Sequence, residues 1–186
     1  MIDRLSAPNQ RRAYGSGGIN RVTSPWRAKS VPYLTILVAS LLPIWMLADV
    51  MPLAPPIGFL VFLGWRIMRP GLLPLWIGVP LGAFDDLFSG QPFGSGILLW
   101  SLTMIALEAI EARFPWRGFW QDWFTAGLAI VLYITAAMVV SGASLTVYLA
   151  LAAIPQIIIG IMLYPMLARM IAWFDRFRLS RSRRVG

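Results

Sequence analysis

Residues 123–168 read WFTAGLAIVLYITAAMVVSGASLTVYLALAAIPQIIIGIMLYPMLA and contain no charged side chain. A transmembrane helix needs roughly 20 apolar residues, so this stretch is long enough for two crossings. Near its middle, Ser141-Gly142-Ala143-Ser144 consists of small residues that favour a turn. We therefore predict two transmembrane helices here, with the bilayer as the solvent for this part of the chain.

Four further charge-free stretches precede this one, at residues 30–48, 50–65, 70–84 and 87–107. The first and the fourth each fit one crossing, whereas the second and third are short and need local thinning of the bilayer or help from flanking residues. A re-entrant hairpin in their place would put Arg66 and Arg69 near mid-membrane, at about 2.5–3.5 kcal/mol each. The sequence therefore predicts an all-α integral membrane protein with about six transmembrane helices.

The composition agrees with a membrane protein. Of the 186 residues, 58% are hydrophobic and 13% are charged, and the mean hydropathy is +0.70. A soluble domain is about half apolar and about a quarter charged. The chain therefore has too few charged residues to cover a soluble fold of this size, and its length suits one domain.

The chain has no cysteine and no histidine. Disulfides, thiolate chemistry and metal sites built from these residues are excluded, and so is an imidazole base. Any chemistry would depend on the eight acidic residues, the hydroxyl groups, Lys29 and the arginines. We predict that the protein is not an enzyme, with no catalytic residue, metal site or cofactor.

The basic residues are concentrated at the two ends of the chain. The net charge is +8, with six of the sixteen Lys and Arg in residues 1–30 and five in residues 176–184. With a cytoplasmic N-terminus, every Lys and Arg falls on the cytoplasmic side, and the outer loops hold only Asp49, Asp85 and Asp86. This split indicates membrane topology and attraction to anionic lipid, not nucleic-acid binding.

Three segments follow from this topology. Residues 1–30 are polar and basic, which predicts a disordered cytoplasmic tail. Residues 31–172 form the predicted six-span transmembrane domain. Residues 173–186 form a second basic tail in contact with anionic lipid. We expect a multi-pass protein of the bacterial inner membrane with both termini in the cytoplasm.

The most informative motif is GVPLGAFDDLFSGQPFG at residues 78–94. In this motif a glycine or an aspartate recurs at every fourth position, at Gly78, Gly82, Asp86, Gly90 and Gly94. The first three of these share one helix face, where small residues let a neighbouring membrane helix approach closely. The motif fits either a packing seam with a carboxylate that caps a turn, or a carboxylate that binds a substrate or partner.

This motif resembles the MreD family of bacterial rod shape-determining proteins. That family shows a glycine, an aspartate four residues later, a glycine-proline turn and a closing glycine. The matching residues here are Gly82, Asp86, Gly90, Pro92 and Gly94. The specific part covers about 20 residues, and Gly78 extends the same helix face. Asp85 lies outside the pattern, and the long N-terminal tail departs from the shorter family members.

The resemblance implies a non-enzymatic role in cell elongation and peptidoglycan synthesis. MreD-like proteins associate with the single-span protein MreC, the MreB filament, the RodA glycosyltransferase and a class B penicillin-binding protein. Their fold is similar to the substrate-binding subunit of energy-coupling-factor transporters. The alternative function is therefore a small-molecule-binding membrane subunit of a vitamin-type transporter, which needs a polar pocket that opens outward.

Glu108 and Glu111 lie one helical turn apart at the end of the fourth predicted span. Paired carboxylates can serve as an acid and a base, but this needs a shaped cleft. A spacing of three residues at a membrane interface more often indicates ion pairs, here with Arg113 or Arg117. We therefore expect these glutamates to have a structural role.

Residues 113–124 contain six aromatic side chains, including Trp116 and Trp120. Tryptophan is enriched at the membrane interface, so the stretch fits an aromatic belt that anchors a cytoplasmic loop. Tryptophan and arginine also dominate binding hot spots, so the same residues fit a partner-docking surface. The sequence leaves both interpretations open for this loop.

Overall fold

The computed structural model describes residues 25–45, 55–114, 118–142 and 147–179. Every regular element in these ranges is helical, which confirms the all-α prediction. The helices are α1 (Pro25–Trp45), α2 (Ile57–Met68), α3 (Gly78–Asp86), α4 (Ser95–Arg113), α5 (Phe119–Val140) and α6 (Val147–Leu179). A short 3-10 turn at Leu75–Ile77 leads into α3.

Among the described residues, three stretches of helix are long and apolar enough to cross a membrane, namely Ser95–Arg113, Phe119–Val140 and Leu151–Leu179. The chain therefore has the helices of a membrane protein. Helix α2 has 12 residues. At about 1.5 Å per residue it is much shorter than the hydrocarbon layer of about 30 Å.

Helix α2 lies at the centre of the structure. Its residues from Gly58 to Ile67 are all buried, and they include Phe59 and Trp65. The sequence IGFLVFLGW is apolar on every side, and a helix of this kind is normally enclosed by other helices. Protein surrounds α2, so its length does not have to match the thickness of the bilayer.

Helix α1 packs against α2 and runs antiparallel to it. Near the start of α2, Gly58 meets Ser40, which lies late in α1. Near the end of α2, the Trp65 Nε1–H donates a hydrogen bond to the Thr35 Oγ1 at 2.8 Å. These two contacts fix the relative direction of the two helices.

Helix α6 runs alongside α2 in the same direction. The start of α2 meets α6 at Gly160, which lies near Leu60. Further along, Gly64 faces the Ile171 side chain. The helix bundle therefore has one end where α2, α4 and α6 finish, which we call the basic end. The opposite end carries Asp85 and Asp86, and we call it the acidic end.

Both predicted domain boundaries fall inside helices. Helix α1 begins at Pro25, ahead of the boundary at residue 30, and α6 continues past residue 172 to Leu179. The last turns of α6 remain packed because Asp175 and Arg178 are buried there. The segment 173–179 is therefore helix, whereas residues 1–24 and 180–186 lie outside the described part of the chain.

Candidate functional site

Helices α3 and α4 form an antiparallel hairpin with a backbone-to-backbone contact. A Cβ atom added at Gly82 would lie 2.5 Å from the carbonyl oxygen of Gly96. One added at Gly78 would lie 3.0 Å from the Cα and N atoms of Ser101. No larger residue fits at Gly82 while the helices keep this separation, and a larger residue at Gly78 would require the backbone of α4 to shift by a few tenths of an ångström. We call this contact the glycine seam, formed by Gly78, Gly82, Gly96 and Ser101.

Asp86 lies at the end of the glycine seam and caps helix α4 from across the hairpin. Its carboxylate accepts hydrogen bonds from the backbone N–H groups of Gly94 at 2.8 Å, Gly96 at 2.6 Å and Ile97 at 3.3 Å. The Ser95 hydroxyl donates a fourth bond at 3.2 Å. The first N–H groups of a helix lack partners within the helix, and a negative charge is favourable there. Asp86 therefore stabilises the start of α4.

The turn between α3 and α4 needs glycine for a different reason. Gly90 has φ +69° and Gly94 has φ +101°, and a Cβ atom at either position would meet nothing within 4 Å. Residues with a side chain rarely adopt these backbone conformations, whereas glycine adopts them freely. The carbonyl of Pro92 accepts the Ser95 N–H at 3.0 Å. Gly90 and Gly94 therefore shape the turn, whereas Gly78 and Gly82 allow close contact.

The sequence patterns did not identify three residues of this site, namely Ser95, Gly96 and Ser101. Gly96 supplies the opposite wall of the glycine seam and one N–H of the cap. It lies two residues after Gly94 and therefore outside the four-residue spacing that identified the others. The available signal was a pair of small residues directly after the turn, where α4 had to start.

The Asp85 side chain points away from the side chain of Asp86. It is buried, and its Oδ1 would lie 2.9 Å from a Cβ atom added at Gly58, in the first turn of α2. Ser40 of α1 lies at the same spot. The two adjacent carboxylates therefore face different helices, with Asp86 on α4 and Asp85 between α1 and α2. Asp49, the third predicted acidic residue of this side, lies outside the described residues.

At the basic end, Arg66 is fully buried and forms ion pairs with two glutamates of α4. Its Nη1 lies 2.6 Å from the Glu111 Oε1, and its Nη2 contacts the Glu108 carboxylate. The three-residue spacing places both glutamates on the face of α4 that meets the end of α2. The sequence predicts pairing with Arg113 or Arg117, of which Arg117 lies outside the described residues. The pairs with Arg66 join two helices, and spacing along one helix does not show contacts of that kind.

A second ion-pair cluster at the basic end connects α2 to α6. The Arg69 Nε donates to Asp175 Oδ2 at 2.9 Å, and the Arg178 Nε donates to Asp175 Oδ1 at 2.7 Å. The Arg178 guanidinium also lies 5.5 Å from the centre of the Trp65 ring, within the range of a cation–π contact. These contacts fix the last turns of α6 against the central helix.

The predicted aromatic loop is described in part. Trp116 lies outside the described residues, as do Pro115 and Arg117. Trp120 is 67% exposed, and its ring packs edge-on against the neighbouring Phe119. An exposed tryptophan at the start of α5 is compatible with an interface anchor and with a docking surface.

The geometry of Asp86 favours a structural role for the motif. Both carboxylate oxygens accept hydrogen bonds from α4, and the residue is 6% exposed. A general base or a nucleophile needs an oxygen directed at a substrate. Of the two interpretations of the motif, the arrangement corresponds to a packing seam with a carboxylate cap.

The hairpin is also where the resemblance to the MreD family lies, since Gly82, Asp86, Gly90, Pro92 and Gly94 all belong to it. The function of the hairpin has to follow from its contacts and its place in the membrane. Comparison of the chain with family models, curated proteins and solved structures finds no match.

Proposed function

We propose that this chain is a non-enzymatic component of the bacterial cell-elongation machinery that docks partner proteins in the inner membrane. The observation that carries the proposal is the Asp86 cap together with the glycine seam. The residues that resemble the MreD pattern are the ones that hold α3 and α4 together. A rigid hairpin of this kind suits a scaffold, because a scaffold has to present a fixed surface to its partners.

The proposed topology has six crossings with both termini in the cytoplasm. Antiparallel contacts between α1 and α2 and between α3 and α4 support it. The short α2 crosses inside the protein, where neighbouring helices cover it. The basic end faces the cytoplasm by the positive-inside rule. This arrangement has the helix number of the energy-coupling-factor subunits to which MreD-like proteins are similar.

The proposed docking surface is the apolar outer side of α4, α5 and α6. Large apolar side chains are exposed along these helices, among them Leu102, Ile105, Leu128, Leu132 and Met162. A transmembrane helix of an MreC-like single-span protein packs on such a surface in place of lipid. We propose that an MreB filament, RodA and a class B penicillin-binding protein join through the same complex, while the basic tails contact anionic lipid.

Cell shape tests this proposal. In the rod-shaped bacterium that makes the protein, we expect Asp86→Ala and Gly82→Leu at native expression to give rounded cells, although the protein still inserts into the membrane. The matched control is Gly118→Ala, because a Cβ atom there meets nothing within 4 Å and its φ is −141°. Microscopy together with membrane fractionation measures both properties. Rods of normal width with both hairpin variants would contradict the proposal.

The second candidate function is a small-molecule-binding subunit of a vitamin-type transporter. The observation that favours it is a cavity of about 190 Å³ at the acidic end, between α5 and α6. Its lining includes the polar side chains of Gln91, Tyr133 and Gln156. A transporter subunit would bind an ATP-binding module in the membrane, and partner identification therefore separates the two candidates.

A further inference from the structure

Helix α3 is short for a helix on the surface of the bundle. The three residues of the 3-10 turn and the nine residues of α3 together form residues 75–86. They extend over about 20 Å, whereas the hydrocarbon core of a bilayer is about 30 Å thick. The equally short α2 is enclosed by protein, but α3 exposes Leu75, Trp76 and Val79. The length of α3 therefore has to be matched by the membrane itself.

The chain is exposed and non-helical on both sides of α3. Before the helix, Arg69, Pro70 and Gly71 are exposed, and after it Gly90 and Pro92 are exposed. Irregular backbone that faces lipid does not occur within the hydrocarbon, because its N–H and C=O groups would lack hydrogen-bond partners there. Both segments therefore lie at the edges of the hydrocarbon layer, and only the helical residues between them remain to cross it.

Helix α4 gives a second measure of the thickness on this side of the bundle. The helix begins at Ser95, and its exposed face carries the apolar side chains of Leu102 and Ile105. Glu108 is next on that face, thirteen residues after the start of the helix, and its side chain is 64% exposed. An exposed charged side chain is costly in hydrocarbon, even in an ion pair with Arg66. Thirteen helical residues extend over about 20 Å, which agrees with the length of α3.

Helices α5 and α6 have longer apolar parts. Residues 123–140 of α5 and 147–168 of α6 are helical and contain no charged side chain. They extend over about 27 Å and about 33 Å, which is close to the thickness of the hydrocarbon core. Leu128, Leu132 and Ile158 are among their exposed apolar side chains. The apolar surface of the bundle is therefore thinner at the α3–α4 hairpin than at α5 and α6.

We propose that the α3–α4 hairpin thins the bilayer beside it, so that phospholipids at this face form a hydrocarbon layer of about 20 Å. A long basic side chain next to a short helix can also reach the headgroups. Arg69 is not available for this, because its Nε donates to Asp175 Oδ2 at 2.9 Å. A thinned region favours neighbours with equally short transmembrane segments, since contact between matched surfaces relieves the mismatch.

This inference rests on the proposed topology, in which α3 crosses the membrane, and is independent of the proposed role in cell elongation. Purified protein in lipid vesicles is sufficient to test it, whereas the role in elongation concerns cell shape and bound proteins. A failure of one therefore leaves the other standing.

Spin labels at the two ends of α3 test the thinning, and the chain has no cysteine that would interfere with single labels. Leu75→Cys and Leu87→Cys mark the ends, and both positions are exposed. In dioleoylphosphatidylcholine vesicles, collisions with a water-soluble nickel reagent and with oxygen give the depth of each label. We expect both labels at the headgroup level and a Val79→Cys label deeper than either. In a bilayer of about 30 Å, at least one end would lie about 5 Å or more inside the hydrocarbon, which would overturn the proposal.

Two exposed positions on α5 with the same separation in sequence, Leu128 and Val140, provide the matched control. We expect the Val140→Cys label at the headgroup level and the Leu128→Cys label well inside the hydrocarbon, since about 18 Å of helix separates them. Infrequent collisions with both reagents at Leu75 and Leu87 would show that protein covers this face, and would also overturn the proposal.

The topology on which the inference rests has its own measurement. A membrane-impermeant maleimide is added to right-side-out and to inverted membrane vesicles. We expect Leu75→Cys to react only from the cytoplasmic side and Leu87→Cys only from the outer side. Reaction of both from the same side would contradict the crossing by α3, and the thinning would fall with it.

Discussion

Replacing Asp86 with alanine is expected to lower the free energy of unfolding by about 3 kcal/mol or more. The substitution leaves the N–H groups of the half-buried Gly94 and the buried Gly96 without an acceptor, and each bond to a charged group is worth about 1.5–3 kcal/mol. It also removes the negative charge at the start of α4. Denaturation of the purified protein in mixed micelles, followed by circular dichroism, measures the loss.

A smaller change at the same site provides the control for Asp86. Ser95→Ala removes the hydroxyl, which lies 3.2 Å from the Asp86 Oδ1 and 3.3 Å from the Gln91 Oε1, and leaves the three backbone bonds to Asp86 intact. We expect it to lose about 1 kcal/mol at most. Equal stability of Asp86→Ala and the wild type would show that the cap does not hold the hairpin.

Replacing Gly82 with leucine is expected to separate α3 from α4, with a loss of about 3 kcal/mol in the free energy of unfolding. The added Cβ alone would lie 2.5 Å from the carbonyl oxygen of Gly96, which belongs to the backbone and cannot rotate away. The helices therefore have to move apart, and the cap at Asp86 is stretched as a result. The same denaturation measurement reports this loss.

Gly127 offers a matched control for the substitution at Gly82. It also lies within a helix, but an added Cβ would be 3.8 Å from the flexible side chain of Ile161, an ordinary contact. We expect the free energy of unfolding of Gly127→Ala to lie within about 0.5 kcal/mol of the wild-type value. If Gly82→Ala also behaves in this way, the close contact of the glycine seam is absent in the membrane.

The sequence predicted the helical class and one side of the hairpin, because both follow from local patterns. Hydropathy identifies apolar helices, and the spacing of Gly78, Gly82 and Asp86 identifies one helix face. The opposing residue Gly96 could not be found in this way, since contact between two helices depends on where the turn at Gly90 ends. The cap on α4 could not be predicted for the same reason, because it is also a contact between two helices.

Hydropathy also could not predict the surroundings of α2. The pattern of residues 50–65 predicts a short crossing that needs local thinning of the bilayer or help from flanking residues, whereas the structure encloses α2 in other helices. Apolar side chains suit both environments equally. The burial of Arg66 follows from this enclosure, because Glu108 and Glu111 of a neighbouring helix balance its charge. Only the tertiary arrangement shows which acids meet which bases.

Affinity purification of the tagged protein from membranes of the cells that make it, with mass spectrometry of the bound proteins, tests the proposed role most directly. We expect an MreC-like single-span protein to be enriched together with a RodA-type glycosyltransferase and a class B penicillin-binding protein. Gly82→Leu should reduce this enrichment, and Gly118→Ala should not. Recovery of an ATP-binding transporter module in place of the elongation proteins would contradict the proposed role.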